Sequence, residues 1–266
     1  MNDSPAFLEL RNISFHTGQV LLFENLNLNL AQNRCTVLMG PAGCGKSTIL
    51  KIAAGLILPQ SGTVVFEQKT WESRNEDQTI KVRSKMGFVF QNAALWANKT
   101  IRQNIELPLQ FHNPHYTKSE LDERIKNVAR MVGLRDVWAD RPSHLSLGEQ
   151  KLVSFARAIV NEPEILFLDD PTAGLDNQLK ERLISFIEDF RRQGKTVLLV
   201  TQDPSVTARV ADDLAILREG RLLTFGPLAE VVQSQDPLVI EILTSILSQA
   251  ATFSQDILGL LSEGQT

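Results

Sequence analysis

Gly40-Pro41-Ala42-Gly43-Cys44-Gly45-Lys46-Ser47-Thr48 fits the pattern G-x-x-x-x-G-K-[ST]. Each residue type has a chemical task at that spacing. Glycines let backbone N–H groups curve around phosphate oxygens without Cβ clashes. A helix starting at the end of the loop adds partial positive charge. The Lys46 side chain is long enough to reach β- and γ-phosphates, and the Ser47 hydroxyl is a ligand for Mg²⁺. A purely structural Gly-rich turn would share the glycines. It would not need the apolar run Thr36-Val37-Leu38-Met39 before the loop, nor a helical pattern after it. Cys44 admits two readings: a small tolerated residue, or a thiol whose pKa the helix dipole lowers.

A second constellation lies further along. Ile165-Leu166-Phe167-Leu168-Asp169-Asp170 places four apolar residues before two acids. Such a strand buries its apolar residues and delivers the acids at its carboxyl end, where open α/β sheets bind ligands. Paired with the phosphate loop, Asp169 is suited to hold Mg²⁺ through its water shell, and Asp170 to face an attacking water. Upstream, Leu145-Ser146-Leu147-Gly148-Glu149-Gln150 leads into Val153, Ala156, Arg157, Ala158 and Ile159. This reads as a helix N-terminus capped by Ser146. Two readings stay open, an ordinary capped helix and an end that binds a phosphate from another molecule.

Positioning these residues takes an α/β frame. Leu8, Leu10, Ile13 and Phe15 are apolar among polar neighbours and read as strands, punctuated by Asn12 and Thr17-Gly18. Ser47 through Leu58 reads as a helix, Gln60-Ser61-Gly62 as a turn and Thr63 to Phe66 as a strand. Thr117-Lys118-Ser119-Glu120 has the form of a capping box, and the helix it opens carries Leu121, Ile125, Val128, Ala129 and Val132 up to Gly133. A further helix is expected from Glu149 to Val160. The core resumes at Ile165. It continues through a helix around Lys180 to Arg192, a buried strand Thr196 to Val200, and a hairpin through Glu219-Gly220. The expected division is therefore 1–91 for the first part of the core, 92–161 for an inserted helical subdomain, 162–235 for the second part of the core, and 236–266 for a helical tail. Asp236-Pro237 starts that tail, with Asp as N-cap and Pro at the first helical position. Its apolar residues Val239, Ile242, Leu243, Ile246, Leu247, Ala250, Phe253, Ile257, Leu258 and Leu261 recur at helical spacing. That face either packs on its own domain or docks on a second copy or a regulatory subunit.

Composition narrows the class. The chain has 27 Lys and Arg against 31 Asp and Glu, a formal net charge of −4, and no long basic run, which argues against a nucleic-acid partner. Two cysteines do not make a disulfide framework. Met1-Asn2-Asp3-Ser4-Pro5 lacks the charged and apolar regions of a signal peptide, and no apolar run approaches the roughly 20 residues of a membrane span. Any service to a membrane is expected from the cytoplasmic side, through a partner.

The order of phosphate loop, Gln91, Leu-Ser-x-Gly-x-Gln, acid-ended strand and Gly174-Leu175-Asp176 resembles the ABC ATPases over nearly all of residues 6 to 230. The resemblance implies an α/β P-loop NTPase fold with a mixed-sheet core, an antiparallel β subdomain and an inserted helical subdomain. It implies ATP and Mg²⁺ as ligands. Phe88-Val89-Phe90-Gln91 looks like the family's Q-loop, whose glutamine touches Mg²⁺ and the attacking water. Ser146 and Gly148, with Glu149 in place of a glutamine, match the signature that contacts the γ-phosphate bound to the opposite subunit. Asp176 matches the aspartate that crosses the dimer interface. The implied assembly is a head-to-tail dimer with two ATP molecules between its subunits. It would sit as a peripheral protein on the cytoplasmic face of the inner membrane and reach the bilayer only through a transmembrane permease.

The chain also departs from the family. Asp170 stands where Glu is usual, and its carboxylate is withdrawn by about one C–C bond; a misplacement near 1 Å can cost on the order of 100-fold in rate. Gln202, in Thr201-Gln202-Asp203, stands where His is usual. It can donate a hydrogen bond to the γ-phosphate but cannot change protonation near neutral pH. Leu147 replaces a glycine and would be strained if that position required positive φ. Thr17 occupies the place of the adenine-stacking aromatic, with Phe15 or His16 as substitutes. These departures imply slow hydrolysis with Lys46, Ser47, Gln91 and Asp169 retained. The run from Gly87 to Leu109, together with Ala211-Asp212, Gly226 and Asp236-Pro237, looks like the ATPases of Mla-type transporters. Those work with mammalian-cell-entry (MCE) domain lipid-binding proteins, so phospholipid is the implied cargo. The alternatives are an ABC ATPase for another solute, or a regulatory nucleotide-binding subunit with little turnover. A single ATPase domain without coiled-coil insertion or basic patch disfavours a non-transport ABC protein.

Overall fold

Alternating burial organises the first strands. In β1 (Leu8–Thr17) and β2 (Val20–Leu30), Leu8, Leu10, Ile13, Phe23, Leu26, Leu28 and Leu30 are buried while Arg11, Asn12 and Asn25 face out. The computed structural model describes residues 6–134 and 138–250. Next come β3 (Cys35–Met39), α1 (Lys46–Ala53), β4 (Ser61–Phe66), β5 (Lys69–Thr70), α2 (Glu76–Ser84), β6 (Met86–Val89), α3 (Ile101–His112) and α4 (Lys118–Val132). After them follow α5 (Leu147–Ile159), β7 (Ile165–Asp169), α6 (Asn177–Arg192), β8 (Thr196–Val200), α7 (Pro204–Val210), β9 (Asp213–Arg218), β10 (Arg221–Pro227), α8 (Leu228–Val231) and α9 (Pro237–Ala250). The chain forms two units, Met1–Ser73 with Leu198–Thr266, and Arg74–Val197.

The first unit holds an antiparallel sheet in the order β2-β1-β4-β5. It also holds the β10-β9-β3-β8 part of a mixed sheet, in which β3 runs parallel to β9 and β10 antiparallel to it. Every residue of β3 is buried, as a parallel strand covered on both faces requires. Arg34 forks onto Asp213 with two 2.6 Å bonds, and Asp212 accepts from the Cys35 amide at 2.8 Å, fixing where β3 and β9 begin. The β9–β10 hairpin turns through Glu219 (φ 49°) and Gly220 (φ 75°) as the sequence predicts. Helix α1 is shorter than expected. It ends at Ala53 instead of Leu58 because Gly55 (φ 66°) closes it, with Gly55 N–H on Ile52 O and Leu56 N–H on Lys51 O, both at 2.9 Å. In the tail, Leu238 N–H donates to Asp236 Oδ1 at 2.8 Å, and Val239, Ile242 and Ile246 of α9 are buried against this unit. The first half of the tail thus packs on its own domain; Phe253, Ile257, Leu258 and Leu261 lie outside the described residues.

In the second unit β6 pairs parallel with β7, Met86 opposite Ile165 and Val89 opposite Leu168. The expected capping box at Thr117 and Glu120 opens α4, and Gly133 (φ 70°) closes it. Ser146 caps α5 through Glu149 N–H as expected, so the helix begins at Leu147, two residues ahead of the apolar pattern, and α6 likewise begins early, at Asn177, because Asp176 caps it through Leu179 N–H. Sequence reading places no helix over 101–112, where Pro108 interrupts the pattern; a box between Thr100 and Gln103 starts α3 there. Asn104 has no exposed surface. Its Oδ1 accepts from Trp96 N–H at 2.8 Å, and its amide donates to Trp96 O at 3.2 Å and Thr100 O at 3.0 Å. It therefore holds the stretch after Gln91 onto α3. Asn104→Ala removes the acceptor of Trp96 N–H, while Trp96 O and Thr100 O keep the Lys99 and Asn104 amides; it should lower unfolding free energy by about 1 kcal/mol, read as a lower urea midpoint.

Candidate functional site

In the first unit, β3 delivers the phosphate loop and α1 leaves it. Gly40 (φ 152°), Gly43 (φ 78°) and Gly45 (φ 97°) carry the curvature. A Cβ at Gly40 would overlap the Leu217 carbonyl oxygen of β9, and one at Gly45 would overlap the Phe23 ring of β2. Gly43 has open space beside it. Helix α1 starts with no side-chain cap and no acid in its first turn, so its positive end faces the loop uncompensated by a carboxylate. Lys46 is 7% exposed and folds back over the loop. Its ammonium donates to Pro41 O at 2.7 Å and Gly40 O at 2.8 Å, and lies 3.6 Å from Cys44 Sγ. A cradle of glycine amides, a helix end without an anion and a lysine over both suit a polyphosphate, and the Ser47 hydroxyl adds the hard oxygen donor that Mg²⁺ prefers.

A cleft of 680 Å³ opens on this loop and is lined by Pro41, Ala42, Gln202, Arg218, Glu241 and Ser245 among others. The structure thus brings Gln202 to the phosphate loop, on an exposed position between buried Thr201 and the α7 cap Asp203. It also brings α9 there, which the sequence pattern did not signal. Arg218 holds Glu241 of α9 at 2.7 Å beside the cleft. Of the candidates for the base, Phe15 is half-buried opposite Phe23 and His16 is exposed opposite Leu21. Exposed Val20 (67%) and Leu21 (47%) form an apolar surface at the same hairpin that sequence reasoning missed.

The second unit carries the remaining candidates. Asp169 ends β7 and is 4% exposed. Asp170 follows with φ 46°, a left-handed conformation that Asp tolerates better than most residues. Gln91 is exposed just beyond β6, ahead of Ala93 (φ 60°) and Ala94 (φ 47°). Those two carbonyls accept from Arg157 at 2.9 and 2.8 Å. The Arg157 guanidinium also lies 5.1 Å from the Trp96 ring centroid, and burial pushes its pKa down to about 10. Ser146 and Glu149 form a reciprocal cap: Glu149 Oε2 accepts from Ser146 N–H and Oγ, both at 2.9 Å, and Ser146 Oγ accepts from Glu149 N–H at 3.3 Å. Leu147 has no positive φ, so the strain considered for it does not arise; it is 73% exposed. Asp176 Oδ1 accepts from Leu179 N–H at 2.8 Å. A buried lysine, Lys151, carried no sequence signal beyond its helix.

Residues 23–173 match a protein family described as ABC transporter. The chain is 33% identical over 220 residues to the glucose import ATP-binding protein GlcV of Saccharolobus solfataricus, spanning 82% of this chain and 62% of that protein. It is 34% identical to YvrO of Bacillus subtilis, an uncharacterized ABC transporter ATP-binding protein, over 81% of this chain and 95% of that one. Among solved structures it resembles the ATP-binding cassette MJ0796, described as a dimer in a post-hydrolysis state bound to ADP and Pi. The TM-score is 0.77 at 32% identity, covering 83% of this chain and 98% of that one.

The thiol of Cys44 offers a direct test of the loop's role. Cys44 is 8% exposed inside the loop, and Cys35 has no exposed surface. N-ethylmaleimide carried on Cys44 fills the space that phosphate needs. Nucleotide binding should fall in proportion to Cys44 modification tracked by mass spectrometry, and ATP should protect. Full modification with intact binding would mark Cys44 as a merely tolerated small residue.

Proposed function

This chain belongs to the ABC transporter family, and from that premise we propose that it is an ATP-binding and hydrolysing subunit that works as a head-to-tail dimer beneath a transmembrane permease. ATP hydrolysis is the activity of the family's ATP-binding domain. The observation that carries the reading is Lys46 held over a glycine loop at an uncapped helix start. The ammonium has three donors, and two already sit on loop carbonyls. A phosphate oxygen takes the third, in exchange for the loose contact with Cys44.

Mg²⁺ bound with ATP neutralises charge on the phosphates. By the family likeness, Ser47, Asp169 and Gln91 are the residues that would hold it, directly or through water. Gly40 to Thr48 bind the phosphates, Asp170 accepts the proton of the attacking water, and Gln202 donates its amide to the γ-phosphate. Ser146, Gly148 and Glu149 serve the nucleotide of the partner subunit, and Asp176 lies at that interface. Hydrolysis is slow, because the Asp170 carboxylate is one bond short and Gln202 cannot take up a proton. The boundaries 1–91, 92–161, 162–235 and 236–266 are the corresponding functional division.

For the cargo we favour phospholipid, delivered with an MCE-domain protein, on the likeness of residues 87–109 to Mla-type ATPases. A groove of 250 Å³ in the second unit, lined by Phe88, Phe90, Trp96, Pro108 and His112, is suited to receive the permease. Exposed Phe111 and Leu107 stand on the same helix, α3. A second reading, import of a small solute, has its own support, since relatives of this chain are named for import of glucose, methionine and spermidine or putrescine. No helix among the described residues is long and apolar enough to cross a membrane.

Mild-detergent purification from the native membrane, with mass spectrometry of proteins and lipids, separates the two. A permease with an MCE-domain protein and phospholipid supports the first; a permease with a solute-binding protein replaces it with the second. Catalytically, Lys46→Ala should reduce ATP hydrolysis to background. Asp170→Glu should raise it by about 10- to 100-fold; an unchanged rate in both variants would remove the ATPase assignment of these residues.

A further inference from the structure

Lys151 belongs to none of the motifs above, yet among the described residues it and Lys46 are the two lysines the fold buries. It sits in the second turn of α5, 6% exposed. Its ammonium donates to Ala173 O at 2.6 Å and to Asp170 O at 3.1 Å. These carbonyls bracket the turn that follows β7, which closes with Ala173 N–H on Asp170 O at 3.3 Å. Asp170 enters that turn with φ 46°. A left-handed residue with a side chain costs about 1 kcal/mol or more and persists only where its surroundings impose it. A buried ammonium is costly in turn unless its donors are taken, and here two of the three go to the backbone of this turn. Burial lowers the Lys151 pKa, while the charges of Asp170 and Asp169 oppose that shift. A second contact joins the same elements: a Cβ on Gly148 would overlap Leu179 Cδ1 and come within 3.5 Å of Leu175 Cδ2. The start of α5 is therefore packed tightly on the segment after the turn.

We infer that Lys151 is a positioning residue for hydrolysis: its ammonium holds the 170–173 turn in the left-handed entry that aims the Asp170 carboxylate, and ties that aim to the helix beginning at Ser146. The role rests on the reading of Asp170 as the acid that faces the attacking water. Movement of α5 at its Ser146 end is thereby transmitted to Asp170 through backbone carbonyls, without a side-chain contact to nucleotide.

The test is a double-mutant cycle in the full-length chain. Lys151→Met and Lys151→Arg are each made with and without Asp170→Asn. Hydrolysis is expressed per molecule that binds a fluorescent ATP analogue, so that an unfolded fraction drops out. Lys151→Met should lower kcat by about 10- to 100-fold with KM for ATP unchanged, and Lys151→Arg, which keeps the donors, should recover most of the loss. In the Asp170→Asn background Lys151→Met should add nothing. Hydrogen exchange on the nucleotide-free protein reads the geometry independently of turnover: residues 170–175 should exchange faster in Lys151→Met, with residues 40–47 unaffected. A parental rate in Lys151→Met, losses that multiply in the double variant, or unchanged exchange at 170–175 each overturn the role. Asp170→Asn at the parental rate removes the catalytic reading of Asp170 and the positioning role with it. A slow Asp170→Asn beside an unaffected Lys151→Met removes the positioning role alone.

Discussion

The phosphate loop turns where two neighbouring strands leave no room for a carbon atom. At Gly40 the obstacle is the Leu217 carbonyl of β9, and at Gly45 it is the Phe23 ring of β2. One obstacle is backbone and the other the end of a ring, so the strands around the loop limit its curvature from outside while Lys46 ties its Gly40 and Pro41 carbonyls from within. The Arg34 fork on Asp213 sets the start of β9, the pairing of β9 with β3 sets the height of Leu217, and that height sets Gly40. The direction of α1, and with it the placement of Lys46 and Ser47, follows from this chain of contacts.

A common device recurs across the molecule. A buried cation is turned toward backbone carbonyls and fixes the loop that carries them. Lys46 does this for Gly40 and Pro41, Arg157 for Ala93 and Ala94, and Lys151 for Asp170 and Ala173. Each of the three loops contains at least one residue with positive φ. Charge-assisted hydrogen bonds are stronger than neutral ones, and a buried cation cannot abandon its acceptors without a large desolvation cost. The loops gain rigidity through their backbone carbonyls.

What could be read in advance follows from how local each signal is. The phosphate loop, the acid-ended strand, the Thr117 box and the Glu219-Gly220 turn are written in neighbouring residues, and the structure has each of them. The fold class was legible through these, as an α/β chain with a mixed sheet and an antiparallel one. The Ser146 cap was equally local and is present, whereas the start of α6 at 177 was not legible, because Asp176 caps it while also matching a family motif. The α1 end was misjudged because Leu56 and Leu58 continue an apolar pattern that Gly55 has already cut, leaving both exposed. Lys151, and the packing of α9 beside the loop, depend on contacts between segments far apart in sequence. No periodicity encodes those. The left-handed Asp170 was equally invisible, since one residue type serves both ordinary and inverted backbone.

The start of α5 is already occupied. Glu149 folds its carboxylate back onto Ser146, so the positive end of the helix carries a resident anion supplied by the chain itself. Any phosphate arriving there takes part in a ligand exchange and not a simple addition. The cap is worth about 1 kcal/mol, equivalent to roughly a fivefold discount on the newcomer's affinity. The same carboxylate, once released, is a negative charge beside a more negative guest. A glutamine closes the same box, as Gln103 does for Thr100, but brings no charge, so what sets this helix end apart is the negative charge of Glu149.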